Sequence, residues 1–275
     1  MRDNTLFLIE EARAELEEYN PMTLRQVYYR LVSRHILKNT VQEYKRLSYA
    51  LVQGRQEGII PWDWIEDRLR QPHKVGMWGD LTDFADTAIA AYRKNVWHSQ
   101  PRYVEVWLEK DALSGVFLQV LYRYGVTLNV GRGYDSWSSI WEASCRLSDE
   151  ELGEPTVVLY FGDFDPSGED MVRSLGERLG FFGCEPEIIK VALTMEDIDR
   201  YELPPMMAKR TDSRSASFIA KHGDVAVELD ALPPKVLAER VREMVREMMD
   251  CEALEEVWET ESEERNRLRG FLEDA

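Results

Sequence analysis

Two acids that stand one residue apart, Asp163 and Asp165, close the segment Thr156-Val157-Val158-Leu159-Tyr160-Phe161-Gly162. The segment is short, apolar and rich in β-branched and aromatic residues, as in a strand buried on both faces. Gly162 ends it, and Pro166 suits the first turn of a helix that continues from Gly168 to Leu179. Both carboxylates therefore belong at the carboxyl end of a central strand, the edge at which open α/β sheets bind ligands. Asp165 also fits as the N-cap of that helix, and Asp163 as a solvated loop acid. A second stretch, Tyr103-Val104-Glu105-Val106-Trp107-Leu108-Glu109-Lys110-Asp111, repeats the order of strand, acid and helix. If the two strands are parallel neighbours, Glu109 stands beside Asp163. Carboxylates gathered at one edge repel each other unless a cation lies between them. An all-oxygen set with room for water suits Mg2+.

A phenol and a guanidinium form the second group with chemical potential. Leu24, Val27, Tyr28 and Leu31 recur at the spacing of a buried helical face, which gives Tyr28 a packing role. Tyr29 is turned about 100° from it. Arg25, four residues earlier, shares the face of Tyr29. A guanidinium can hold phosphate oxygens, and a phenol can become a covalent phosphotyrosine. The plainer reading is a surface tyrosine stacked on an arginine.

The elements that would position these groups fall in two blocks. Leu6, Ile9, Ala12 and Leu16 give a helix over residues 5–19, stopped by Asn20-Pro21. Thr23 with Gln26, and Thr40 with Glu43, have capping-box spacing, so helices are expected from Thr23 and from Thr40, the latter running to about Gln56 and ending at Gly58. Val41, Tyr44, Leu47 and Leu51 make the apolar side of the third helix. Lys45, Arg46 and Arg55 are its candidate DNA contacts, or an ordinary solvated face. Three short helices with a tight second connection suggest a helix-turn-helix, with Ile59 to Asp80 as material for a wing and a connecting helix over 81–97. Ser99-Gln100-Pro101 is the expected domain boundary. From Arg102 strands and helices alternate, with strands expected near 103–108, 126–130, 156–161 and 186–193, a Rossmann-like α/β sheet. Gly131-Arg132-Gly133-Tyr134 reads as a loop at the acid edge, where Arg132 reaches a phosphate or is plain surface. Lys209 to Arg214 is a basic cluster with the same two readings. Asp224 to Asp230 has the alternation of a last short strand. Pro233 to Phe271 reads as one long helical tail, solvated or a partner surface, with 13 acids and 6 bases between Glu239 and Ala275. The expected division is thus 1–98, 99–235 and 236–275.

The bulk properties narrow the functional classes. At 275 residues and 44% hydrophobic the chain can bury real cores. No apolar run approaches the ~20 residues of a membrane span, and the N-terminus lacks signal-peptide features, so the expected location is cytoplasmic, in association with the nucleoid. Cys145, Cys184 and Cys251 are far apart and odd in number, against a disulfide scaffold. The net charge is −17, but residues 1–98 carry 14 bases and 14 acids, and 21–74 carry 10 bases against 5 acids. A locally basic N-terminal face on an acidic body is compatible with DNA contact there and discourages loose binding elsewhere.

Taken together, Arg25-Gln26-Val27-Tyr28-Tyr29, then Glu109-Lys110, then Gly162-Asp163-Phe164-Asp165-Pro166-Ser167-Gly168 resemble the A subunit of topoisomerase VI and its meiotic double-strand-break relatives. Gly131 to Tyr134 and Glu228-Leu229-Asp230-Ala231-Leu232 resemble weaker segments of that family. The resemblance covers most of residues 20–235, and the chain looks like a small stand-alone relative. It implies a winged-helix domain that carries the cleaving tyrosine, Tyr29 with Arg25, followed by a Toprim domain that holds Mg2+ on Glu109, Asp163 and Asp165. It further implies a homodimer acting on double-stranded DNA, with the tyrosine of one subunit meeting the metal site of the other and a 5′-phosphotyrosyl product. A separate ATPase subunit of the B type is the implied partner for strand passage. The related alternatives are a Toprim nuclease that uses a metal-activated water, and a DNA-binding or assembly protein without catalysis.

Overall fold

The computed structural model describes residues 3–66, 75–131, 135–149, 151–205 and 214–273. Four strands form one parallel sheet in the order β2-β1-β3-β4, where β1 is Tyr103–Leu108, β2 Thr127–Val130, β3 Thr156–Phe161 and β4 Glu187–Ala192. All four lie within two residues of their expected places. The central pair reads easily because both its faces are covered: every residue of β1 and all but the first of β3 are buried.

The register sorts each strand into two faces. Val104, Val106 and Leu108 lie level with Val157, Leu159 and Phe161. Phe117, on α5 (Ser114–Leu121), packs edge-on against Phe161 on that face. The opposite face carries Tyr103, Glu105 and Trp107 and faces α6 (Trp137–Leu147), whose Arg146 reaches Glu105. From β1 the chain turns one way to β2, then returns across β1 to β3. The cleft between the ends of β1 and β3 is thus the point where the strand order reverses, the place where such sheets bind ligands.

The N-terminal block contains α1 (Asp3–Tyr19), α2 (Leu24–Ser33), α3 (Val41–Gln56) and α4 (Leu81–Ala91). Thr23 caps α2 with a full capping box, and Thr40 caps α3 through the Glu43 N–H alone. Leu47, Ala50 and Leu51 bury the inner face of α3 against α1, while Val41 at its first turn is exposed, because the helix projects beyond its neighbour there. Among the described residues the wing segment forms no hairpin. A 3-10 turn at Trp62–Trp64 leads to a single bridge between Met22 and Ile65, and residues 67–74 lie outside the described part. The connecting helix stops at Ala91, six residues short of expectation.

The C-terminal region differs from a free tail. It is two helices, α10 (Pro234–Met248) and α11 (Cys251–Glu273). Leu237, Val241 and Val245 of α10 are fully buried, and α10 packs on α5. Asp250 breaks the run by capping α11, its Oδ1 accepting from the N–H groups of Glu252 (2.9 Å) and Ala253 (3.1 Å). Gln100 holds the break, its amide bonded to both the N–H and the carbonyl of Asp250. The expected strand over 224–230 is reduced to bridge pairing at Ala226 and Val227, the latter antiparallel to Phe164, followed by a 3-10 turn at Leu229–Ala231. Helices α7 (Pro166–Phe181), α8 (Met195–Arg200) and α9 (Ser215–His222) complete the order. No described helix is long and apolar enough to cross a membrane.

Candidate functional site: an acid edge joined to a tyrosine helix

Glu109 follows β1 and continues its ladder, its N–H donating to the Phe161 carbonyl at 2.9 Å. The Asp163 N–H then donates to Glu109 Oε2 at 2.8 Å. The two acids are thus brought together at the switch point of the sheet. Two glycines make the approach possible. A Cβ at Gly162 would lie 2.7 Å from Glu109 Oε2 and 2.6 Å from the Tyr160 ring. At Gly168 a Cβ would overlap the Asp163 carbonyl oxygen, so α7 can start this close to the strand only with glycine there.

Burial first, and then the Asp163 charge, raise the Glu109 carboxyl to about 7. Burial also raises Asp163, although Lys110 and the Leu229 N–H pull the other way. Asp165 is placed differently. Its Oδ1 accepts from the Gly168 N–H and from Ser167 Oγ, both at 2.7 Å, so it caps α7. Among the described residues no group of three or more His, Cys, Asp or Glu side chains has the arrangement to hold a metal ion. Glu109 and Asp163 alone still fit Mg2+, which takes one or two carboxylates and keeps water and phosphate oxygens for the rest of its shell. Lys190 supports the edge from beneath, bonded to the Asp163 carbonyl (3.2 Å) and to Glu169 (2.8 Å).

Lys110 links this edge to the N-terminal helices. Its Nζ lies 2.9 Å from Asp163 Oδ1 and 2.8 Å from both Glu228 Oε2 and Asp230 Oδ2. Arg25 of α2 meets the same two acids from the other side, bonding Glu228 through Nη2 and Asp230 Oδ2 through Nε at 3.1 Å. Burial would weaken both cations, but Asp230 and its acidic neighbours outweigh it and hold Arg25 and Lys110 firmly charged. Burial alone would likewise raise Glu228, yet Lys110 and Arg25 hold it down at about 2. Asp230 is fully enclosed, and its Oδ1 has no partner among the described residues. Sequence reasoning marked Glu228 to Leu232 as a weaker family-like segment but gave this acid pair no role, although the spacing Glu228-x-Asp230 mirrors Asp163-x-Asp165.

Tyr28 packs as expected, its hydroxyl within reach of the Lys38 and Thr40 carbonyls and of Asn39. Tyr29 is also buried, at 6% exposure, rather than lying on an open face. The Glu228 carboxylate lies close enough to bear on its hydroxyl, and the Arg25 guanidinium stands 5.8 Å from its ring. Burial and then the Glu228 charge raise the phenol well above its ordinary value. A continuous path therefore runs within one chain from Tyr29 through Glu228 and Lys110 to Asp163, where the resemblance assigns tyrosine and metal site to different subunits. Of the DNA-contact candidates, Lys45 is exposed, and Arg46 is exposed and paired with Glu43 at 3.0 Å. Arg55 is half-buried and stacked on Trp62 at 4.7 Å. Arg132, with Gly133 and Tyr134, lies outside the described residues, as does the basic cluster from Lys209 to Ser213.

Comparison of the chain with protein-family models, with curated proteins and with solved structures gives no match.

Proposed function

We propose that the chain cleaves the backbone of duplex DNA by tyrosine transesterification, with a winged-helix unit supplying the nucleophile and a Toprim-like sheet edge supplying a Mg2+ site. The observation that carries the reading is the meeting of Glu109 and Asp163 at the switch point, with Tyr29 and Arg25 tied to the same edge through Glu228 and Lys110. A bound Mg2+ would supply the Lewis acid that neutralises charge on the phosphate and on the departing 3′ oxygen. Glu109 and Asp163 would hold it, with Asp165 fixing the turn that presents Asp163. Arg25 would grip the phosphate once Glu228 lets it go. The Tyr29 oxygen would then attack phosphorus as the bond to the 3′ oxygen breaks, leaving a 5′-phosphotyrosyl link. Glu228, once Arg25 has turned to the phosphate, would be the carboxylate that takes up the phenol proton. A homodimer would cut both strands, and strand passage would need the separate ATPase.

The hydrolytic alternative is favoured by one specific observation, the burial of the Tyr29 hydroxyl against a carboxylate that keeps it protonated. In that reading Glu109 and Asp163 act alike, but water is the nucleophile. Supercoiled plasmid incubated with Mg2+ and stopped with detergent separates the two. Transesterification leaves protein on 5′ ends with wild type, none with Tyr29→Phe and none with Asp163→Asn. Hydrolysis leaves free ends, loses them with Asp163→Asn and keeps them with Tyr29→Phe. Tight DNA binding with no cutting by any form would leave a DNA-binding or assembly protein.

A further inference from the structure

At the other end of the sheet a second concave site is built from different material. A pocket of about 370 Å³ opens between the segment that enters β1, the turn that enters β2, and α11. Its volume is at the small end for organic ligands. Gly125, on its wall, precedes β2 by two residues, whereas the last residue of β2 leads to Gly131, whose N–H is bonded to Leu108 at the acid edge. The strands therefore separate this pocket from Glu109 and Asp163.

The walls are tied together firmly. The Lys94 N–H donates to Glu261 Oε2 (2.8 Å), Lys94 Nζ pairs with Glu264 (2.9 Å), and Arg265 donates to the Tyr92 carbonyl and pairs with Glu261 (2.7 Å). Those contacts use up two of the four cations around the pocket. The other two are arginines in another state. Arg123 stacks on Trp258 at 4.3 Å, and Arg93 stacks on Tyr122 at 4.9 Å while donating to the Ala90 and Tyr92 carbonyls. Among the described residues neither is paired with a carboxylate. On a chain of net charge −17 that leaves two guanidiniums free of acids at one cavity.

We infer that this pocket binds a phosphate ester, with Arg93 and Arg123 gripping the phosphate and Trp258, Tyr122 and Val96 covering its organic part. Two free guanidiniums match the several oxygens of a phosphate better than the two of a single carboxylate, and guanidinium geometry suits them. The apolar wall argues for an ester over the bare ion. The phosphate has two possible sources, a free nucleotide or a nucleic-acid backbone, and the pocket is too small for a duplex.

The test uses the full chain in EDTA, so that the acid edge stays silent and the outcome is independent of cleavage. ATP and a short single-stranded oligonucleotide are titrated separately by calorimetry at about 0.1 M salt. Arg93→Gln and Arg123→Gln change exposed side chains, and each should weaken binding about tenfold. Arg13→Gln, on the exposed face of α1, should leave it unchanged. Loss confined to ATP assigns a free nucleotide, and loss confined to the oligonucleotide assigns a backbone phosphate. No binding of either at about 1 mM, or equal loss in Arg13→Gln, overturns the inference.

Discussion

Glu105 and Glu109 leave the same strand four residues apart, and they live in opposite electrical worlds. Glu105 is fully enclosed, and every direction around its carboxylate is answered. Arg146 donates through Nε (2.9 Å) and Nη2 (3.2 Å), Asn129 at 2.6 Å, Tyr103 at 3.2 Å and the Trp107 indole at 3.3 Å. Those partners come from its own face of β1, from the adjacent β2 and from α6, so the sheet register itself assembles them. Glu109 lies one step past the strand end. There it meets another acid, and among the described residues its hydrogen-bond donor is the Asp163 N–H. A buried carboxylate with five donors is a finished structural group. A half-buried carboxylate beside a second acid, raised to about 7, is the kind of group found at functional sites.

The sharpest way to break this contrast is to remove each acid and read stability. Glu105→Leu should cost about 3 kcal/mol, because it strands Asn129, Tyr103 and Arg146. Arg146 keeps a route to solvent, which limits the loss. Urea denaturation measures it, and a cost below about 1 kcal/mol would mean that the network is not structural. Glu109→Gln should do the opposite. Stability should hold or rise by up to about 1 kcal/mol as repulsion is relieved, while cleavage of plasmid falls at least about a hundredfold. A destabilising Glu109→Gln with normal cutting would erase the distinction.

A smaller effect sharpens the idea of a cation at this edge. With roughly 10 mM Mg2+ and a dissociation constant near about 1 mM, binding adds about 1.4 kcal/mol of stability. That corresponds to a rise of about 3 °C in melting temperature. Wild type should show it and Asp163→Asn should not. Asp165→Asn should keep most of the rise, since that carboxylate is occupied at the helix cap. An equal loss in both variants would place Asp165 on the ion after all.

How much of this was legible beforehand follows from how local each signal is. The central strands were plain because burial on both faces leaves an unbroken apolar run, and the meeting of Glu109 with Asp163 followed from parallel pairing of those two runs. The helix break at Asp250 was readable in principle, since a capping acid stood in the sequence, but an unbroken helical pattern on either side masked it. Helical rotation set Tyr29 apart from the stripe of Tyr28, yet the fold buries both in one core. What covers Tyr29 was out of reach, because Glu228 and Asp230 arrive from about 200 residues away and no periodicity records such a pairing. The alternation in Asp224 to Asp230 pointed to a strand, yet Glu228 and Asp230 serve Arg25 and Lys110, and the backbone there makes bridge pairing at Ala226 and Val227 in place of a strand.

Glu228 gives the finest comparison, since it is an acid whose partners hold its carboxyl down, at about 2. The sign follows from that. A carboxyl lowered on folding contributes stability above its ordinary value of 4.5, and the contribution disappears as the pH falls toward its folded value of about 2. The variant Glu228→Gln lacks this contribution. The stability gap between the two proteins should therefore stay constant above about pH 5.5 and close between about pH 4.5 and 2. Its size should be about 1 kcal/mol, because solvent reaches one fifth of the Glu228 side chain and screens its pairs. The same substitution leaves Arg25 held by Asp230 alone and removes the charge beside the Tyr29 hydroxyl, so it should tighten DNA binding while loosening the fold. A variant that loses stability yet binds DNA no better would show that Glu228 only braces α2 against the sheet.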